Sequence, residues 1–453
     1  MMAKSALTAC CLAALCVAGP SLADVRLNPK QMSELAAQAI LNGQSGLAYD
    51  LSTALVGRND GDLNAHLIRS RAARDMGLDE EAIASARAAW ALSNSGEERY
   101  ASALANAQAL STAGRRTAAQ LWLRRAVQAA PDDRAKRRAA RDFQYVRRQN
   151  PWATSLQFSV APSSNINNGS RNETSQLFDL PFEFQLEGEA RALSGVEVSA
   201  GVSTRYRLVA NGRKRTDLQF GASHKTYALS DDAKDIAPDA EGSDFATTSA
   251  FFGIQETYRL PDPRTQLGWN LRLGATRYGG EDLLRYARLG TNVQHVLESG
   301  GLISASLSHE QQDGLNGRDD ASIWSARFGY GMALDNGNRL SVSTSLTRSE
   351  SDSDFLDYTQ RNIAVRYSLA KPVGPAMLDF GFVIGDKNHD RSGLSADGRE
   401  ERSVEASVTA ALPELDYYGF IPTVTLRAER TNANIDIYET ESFGIQMGIR
   451  SAF

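Results

Sequence analysis

The chain has 453 residues, 42% hydrophobic and 23% charged, with a net charge of −5 at neutral pH. That length exceeds one compact domain, and the composition excludes both a bundle of membrane helices, which needs repeated apolar runs of about 20 residues, and a mostly disordered chain. The acidic balance argues against a general nucleic-acid binder, but it leaves open a membrane β-barrel, whose spans alternate polar and apolar residues.

Residues 1–23 read as a signal peptide. Lys4 gives a short basic start, residues 6–18 (ALTACCLAALCVA) an apolar run, and Ser21-Leu22-Ala23 a small-residue cleavage site, so the mature chain is expected to begin at Asp24. All three cysteines, Cys10, Cys11 and Cys16, fall in this run, which leaves the mature chain without a thiol. Leu7-Thr8-Ala9-Cys10 resembles a lipoprotein cleavage box, but almost no apolar run precedes it.

Residues 24–150 are rich in Ala, Leu and Arg, and their periodicity predicts helices at about 30–42, 46–56, 63–76, 79–93, 97–113, 116–130 and 133–148. Gly77, Ala82, Ala86 and Ala89 recur 37 positions later as Gly114, Ala119, Leu123 and Ala126. Small residues at fixed offsets let paired helices approach closely, which resembles a short tetratricopeptide array. Stacked repeats present a concave binding face; the alternative is that these helices only brace the next domain. The last helix carries Arg134, Lys136, Arg137, Arg138, Arg141, Arg147 and Arg148. Such a run is either a solvated face or a contact for acidic lipid or acidic cargo.

Residues 151–453 alternate with period two. From Val196 to Leu208 the even positions are mainly apolar and the odd positions polar, and the pattern recurs at Leu267–Leu273, Trp324–Met332, Leu340–Leu346 and Val404–Ala410. A soluble sandwich would alternate too. Long strands, short turns alternating with longer polar loops, and a last strand closing on Phe443, Ile445, Met447, Ile449 and Phe453 favour a transmembrane antiparallel barrel. Fifteen segments qualify as strands. With both ends on the periplasmic side the number must be even, so about fourteen strands are expected, 154–162 pairing poorly or lying at the mouth and 178–192 serving as the first full strand.

No metal-spaced histidine pair, nucleophile elbow or phosphate loop is present, so no catalytic residue, metal or cofactor is expected. Arg205, Arg207, Arg272, Arg327, Arg366 and Arg427 fall on the polar face and would either pair into a network filling the lumen or form a charged track for unfolded cargo. Pro181, within the alternation Leu180, Phe182, Phe184, either removes a ladder donor and so weakens a seam between these residues and the last strand, Ile445 and Phe453 included, or sits at a harmless non-bonded position. Asn165, Asn167 and Asn168 read equally as a turn, Asn168-Gly169 being a turn signal, or as a recognition element.

Asn150-Pro151-Trp152, the cluster APSSNINNGS at 161–170, Gly419-Phe420-Ile421-Pro422, Thr431-Asn432 and Ile437-Tyr438, together with exported repeats and a barrel closing on Phe453, resemble the surface lipoprotein assembly modulator (Slam) family. The resemblance spans the mature chain; the acidic residue common before the Ser-Asn pair is Ser163 here. It implies an outer-membrane factor that moves particular lipoproteins or related soluble effectors to the cell surface, with the helical repeats in the periplasm. It also implies outer-membrane lipids, the barrel assembly machinery reading Phe453, the exported cargo and periplasmic chaperones as partners. The rivals are an exopolysaccharide export porin, a passive porin and a barrel enzyme.

Overall fold

The computed structural model describes residues 27–178 and 180–451. The expected signal peptide and Phe453 lie outside the described residues. The chain divides into two compact units, one ending at Ala113 and the other beginning at Gly114.

The first unit is helical: α1 Pro29–Leu41, α2 Ser45–Arg58, α3 Leu63–Asp75, α4 Asp79–Leu92 and α5 Gly96–Thr112. Local chemistry sets the ends. Asn28 with Gln31, and Ser95 with Glu98, form reciprocal capping boxes at α1 and α5. The Glu98 carboxyl sits below its ordinary value because it accepts the Asn94 and Ser95 backbone N–H groups. After α1 and α3 the chain turns at Gly43 and Gly77, both left-handed, and the next N–H donates back five residues, Gln44 to Ala39 and Leu78 to Ala73, each at 2.8 Å. Glycine is favoured at such a helix end because a side chain there is strained. Ala39, Ala48 and Ala72 are buried between helices, and Asn106 donates to the Ala86 carbonyl at 2.7 Å, joining α5 to α4.

The second unit opens with α6 Arg116–Gln128 and α7 Asp133–Gln149, so this helix pair groups with the barrel. The strands are β1 Trp152–Ser163, β2 Thr174–Gln176, β3 Glu183–Gln185, β4 Gly195–Ala210, β5 Lys214–Leu229, β6 Thr247–Arg259, β7 Thr265–Tyr278, β8 Glu281–Val296, β9 Leu302–Gly314, β10 Ala321–Ala333, β11 Arg339–Glu350, β12 Tyr358–Ser368, β13 Met377–His389, β14 Arg399–Ala411, β15 Phe420–Ala433 and β16 Thr440–Ser451. A short helix, α8 Asp231–Ile236, lies between β5 and β6. β1 and β4 to β16 form one closed antiparallel barrel of fourteen strands, in which β1 lies between β16 and β4; β2 and β3 pair only with each other.

The expected count of fourteen holds, but its membership changes. The segment near 154–162 is a full barrel strand, β1, in continuous register with β4 from Trp152↔Tyr206 to Ser163↔Gly195. The segment 178–192 is not a barrel strand: its alternating apolar residues lead into the small β2–β3 hairpin inside the loop joining β1 to β4. β7 and β8 are joined by a two-residue turn in which Gly279 and Gly280 are both left-handed and Tyr278 pairs with Glu281. Turns next to the α7 end join β4–β5, β6–β7 and β8–β9; the loops at the far end include the long 164–194 and 230–246 segments.

Candidate conduit, mouth and seam

The two faces of the barrel wall differ in size as well as polarity. Phe158, Val202, Phe220, Phe252, Leu273, Leu289, Leu307, Phe328, Leu346, Ile363, Phe382, Val404 and Met447 all point outward and are all at least a third exposed. Arg272 on β7 reaches Gln219 on β5 at 3.2 Å, past Gly253 of β6, where an added Cβ would lie 2.9 Å from the arginine stem. A reach across an intervening strand places this side within the barrel's concave interior. From β9 to β14 that interior is lined mainly by small residues, among them Ser304, Ser306, Gly329, Ser343, Gly381 and Ser407. Short hydroxyl and glycine positions fill little of the lumen along this arc. Sequence reasoning singled out the arginines of this face; the serine and glycine run opposite the apolar positions was the stronger signal.

The arginines separate into two groups. Arg205 approaches Asp217 at 3.8 Å, Arg272 bonds Gln219, and Arg427 pairs with Glu405 and Glu429, each at 3.0 Å. Arg207 donates to the Arg148 carbonyl at 2.8 Å, fastening the end of α7 to β4. Arg327 on β10 and Arg366 on β12 are exposed to the interior, each flanked by serine on β11, Ser345 and Ser341. The wall therefore combines a paired arc with a sparsely charged one. His224 and His309 face outward, His309 stacked on Trp324 at 4.5 Å, and no metal-binding group of three residues occurs among the described residues.

At the far end the loop 164–194 folds back along the rim. Asn165, Asn167 and Asn168 lie in its first turn. The Asn165 amide donates to the Gly169 carbonyl at 2.9 Å and accepts the Gly169 N–H; Asn167 donates to the Glu189 and Arg191 carbonyls and accepts the Leu193 N–H. Asn168 is left-handed at φ 54°. These amides supply the backbone partners that a ladder would otherwise give. Ile166 and Leu193 then pack with Ala233, Ala237 and Phe245 into a small core shared with the 230–246 loop. Beneath this turn is a cavity of about 470 Å³ lined by Gln157, Asn168, Ser199, Lys225, Tyr227 and Tyr278.

The same loop is tied to the β15–β16 loop. Ser170 donates to the Asp436 carbonyl at 2.9 Å, and Arg171 Nε and Asn172 Nδ2 each donate to the Glu439 carboxylate at 3.1 Å. Burial pushes the Glu439 carboxyl up, but the Asn172 and Arg171 bonds outweigh it and hold the group below its ordinary value of 4.5. A depressed carboxylate contributes stability that is complete above its unfolded-state pKa and is lost as pH falls through the folded one. Protection of the Arg171 and Asn172 amides from hydrogen exchange, relative to their intrinsic rates, is therefore expected to be held at pH 7 and to fall once the pH drops below the ordinary carboxyl value of 4.5, while mid-strand β10 amides keep theirs. Equal loss of protection in both places would mean that Glu439 does not set the loop's tether.

The seam lies between β1 and β16. Pro181, Phe182 and Phe184, expected there, are instead in the β2–β3 segment, where Phe184 packs against Phe178 and Phe182 at centroid distances of 6.2 and 5.2 Å. Ile445 does lie on the seam strand β16. Glu187 lies in the same loop segment as the proline. A proline interrupting an apolar alternation marks a lost ladder donor in a barrel strand or a bend in a loop, and only the pairing distinguishes them.

At the opposite end, α6 is pinned to the turn before β15. Arg124 Nη1 donates to the Tyr418 and Gly419 carbonyls at 2.9 and 3.0 Å, and its guanidinium lies over the Phe420 and Phe143 rings at 4.5 and 5.0 Å. Gln128 accepts the Tyr418 N–H at 3.1 Å. On α7, Ala139, Phe143 and Val146 are buried; Arg134, Arg137, Arg138, Arg141 and Arg148 share the opposite, exposed side with Tyr145.

No protein-family model matches the chain, and no curated protein does. Among solved structures, the chain is similar to OmpTdeltaL8, a loop-deletion mutant of the Vibrio cholerae outer-membrane protein OmpT, at 8% identity over 66% of this chain and 99% of that one, with a TM-score of 0.34. It is similar to CdiB of Acinetobacter baumannii at 9% identity over 65% and 60%, with a TM-score of 0.36. For Pseudomonas aeruginosa OccK2, solved with glucuronate, the values are 11% over 67% and 98%, and 0.34. Similarity at this level leaves function to be argued from the chain's own geometry.

Proposed function

We propose that this protein is an outer-membrane conduit for polypeptides, of the surface lipoprotein assembly modulator kind. The observation that carries this reading is the wall itself: an apolar outer belt suited to lipid around an interior lined by serine and glycine rather than filled. The β9–β14 arc, where small side chains predominate, suits passage of an extended chain better than binding of one small solute. The loop 164–194, tied across the far rim, is suited to closing that mouth when no cargo is present. Residues 24–113 would receive cargo in the periplasm, and the basic side of α7, next to the barrel's first strand, would rest against anionic headgroups. The cargo would be a lipoprotein or a related soluble effector, and assembly into the membrane would use the barrel assembly machinery. No catalytic step is required.

The test is surface labelling of whole cells with a membrane-impermeant biotin reagent, with and without this protein. The expected result is that one or a few proteins lose surface exposure while remaining in the cell. Unchanged protein labelling together with loss of surface polysaccharide would replace this reading with polysaccharide export.

A further inference from the structure

The interior charges are not balanced evenly around the wall. From β9 to β14 each interior carboxylate already has a cation: Glu310 has Arg288 at 2.5 Å, Asp379 has Arg450 at 3.8 Å, Glu401 has Arg399 at 2.7 Å and Glu405 has Arg427 at 3.0 Å. Glu429 shares Arg427, which leaves one surplus negative charge at β14–β15. Arg327 and Arg366 have neither a hydrogen-bond nor an ion-pair partner among the described residues, and both are exposed to the interior. Lys387 on β13 lies over the Tyr358 ring at 4.5 Å and forms no ion pair among the described residues.

The strand pairing sets these three cations along one strip. Arg327 pairs with Ser345 of β11, Arg366 pairs with Ser341, and Lys387 pairs with Gln360, which in turn pairs with Thr347. In the register of β11 they therefore stand level with Ser341, Ser345 and Thr347, on either side of a row of short hydroxyls. The steps are about 13 and 7 Å at the rise of a strand. Serine and threonine offer hydrogen bonds there but no counter-charge. A cation without a carboxylate in a confined wall attracts anions more strongly than one on an open surface, because less water screens it.

We infer that the β11 strip, flanked by Arg327, Arg366 and Lys387, is a binding track for the carboxylates of an extended acidic polypeptide segment. Such a segment has the same rise as the wall and sends alternate side chains to one side, so acids four and two residues apart meet successive cations. The arginines can each donate two parallel hydrogen bonds to a carboxylate, which fixes position as well as charge. A polyuronate also carries carboxylates, but sugar rings set their spacing and they do not follow the strand's register. That the segment belongs to exported cargo rests on the conduit reading; the track itself does not.

The test places one cysteine at Ser343, midway along the strip between Gly329 and Ala364, in the full-length mature protein in lipid nanodiscs. That chain has no other cysteine if cleavage falls after Ala23. Modification rates are measured with an anionic and a cationic methanethiosulfonate of similar size, and S299C in the exposed β8–β9 turn is the control. The anionic-to-cationic rate ratio at S343C is expected to exceed that at S299C. It should fall about tenfold with R327S and R366S together, and about threefold with either alone, while the ratio at S299C stays put. A peptide of alternating glutamate and serine is expected to slow the reaction of S343C with neutral N-ethylmaleimide about tenfold. An alternating glutamine–serine peptide should not, and the protection should vanish with the two arginines. A ratio indifferent to the arginines, a cysteine that neither reagent reaches, or equal protection by both peptides would overturn the proposal. Equal protection by a polyuronate would also overturn it and assign the strip to polysaccharide. None of these readouts involves export, so a failed surface-labelling test would leave them untouched.

Discussion

Replacing Phe252 by arginine is expected to destabilise the barrel in a bilayer by about 2–4 kcal/mol, the cost of a cation facing lipid near midplane. Phe252 is halfway along β6, outward, 45% exposed, and packed against Phe220 at 5.1 Å between centroids. Its neighbours across the strands, Phe220 and Leu273, belong to the same belt. Ser343, at a comparable depth on β11 but facing inward between Gly329 and Ala364, is the matched control. Arginine there meets an aqueous interior and is expected to shift stability by only about 0.5 kcal/mol. Urea-dependent folding into vesicles measures both. If Phe252→Arg were neutral and Ser343→Arg costly, the faces would be reversed and the membrane reading would fail.

Replacing Arg124 by alanine is expected to release α6 and α7 from the barrel rim at a cost of about 2–4 kcal/mol. Two carbonyls, those of Tyr418 and Gly419, lose a charged donor at once, and the Phe420 and Phe143 rings lose the guanidinium lying over them. Both residues of this turn are left-handed, at φ 50° and 74°. Burial and the nearby Arg147 push the guanidinium below its ordinary value, with Asp416 opposing, and the group stays charged at neutral pH. Hydrogen exchange is the measurement: α6 and α7 amides should lose protection while mid-strand β10 amides keep theirs. Arg124→Lys should retain part of the effect, since an ammonium still donates but does not lie flat on the rings. Uniform loss of protection across the barrel would mean that α6 is needed for the fold rather than merely fastened to it.

The helices were legible because their ends are local events. Asn28, Gln31, Ser95, Glu98, Gly43 and Gly77 act within one turn of where they stand. Most strands were legible because an apolar belt and a polar interior impose period two on every span. The seam was not, and the reason is distance along the chain. Leu180, Phe182 and Phe184 alternate as a spanning strand does, yet they belong to a loop hairpin, while Trp152 to Ser163 complete the barrel.

The sequence by itself determined that this chain is a helical segment followed by about fourteen strands with one apolar face each, since caps and alternation are properties of neighbouring residues. Which segment closes the ring, that Pro181 lies in a loop rather than at the seam, and that Asn165 and Asn167 are occupied in holding a loop were decided only by the tertiary structure. Closure joins residues nearly 300 positions apart, from Ser159 to Gly448, and a period of two carries no record of which partner each strand will meet.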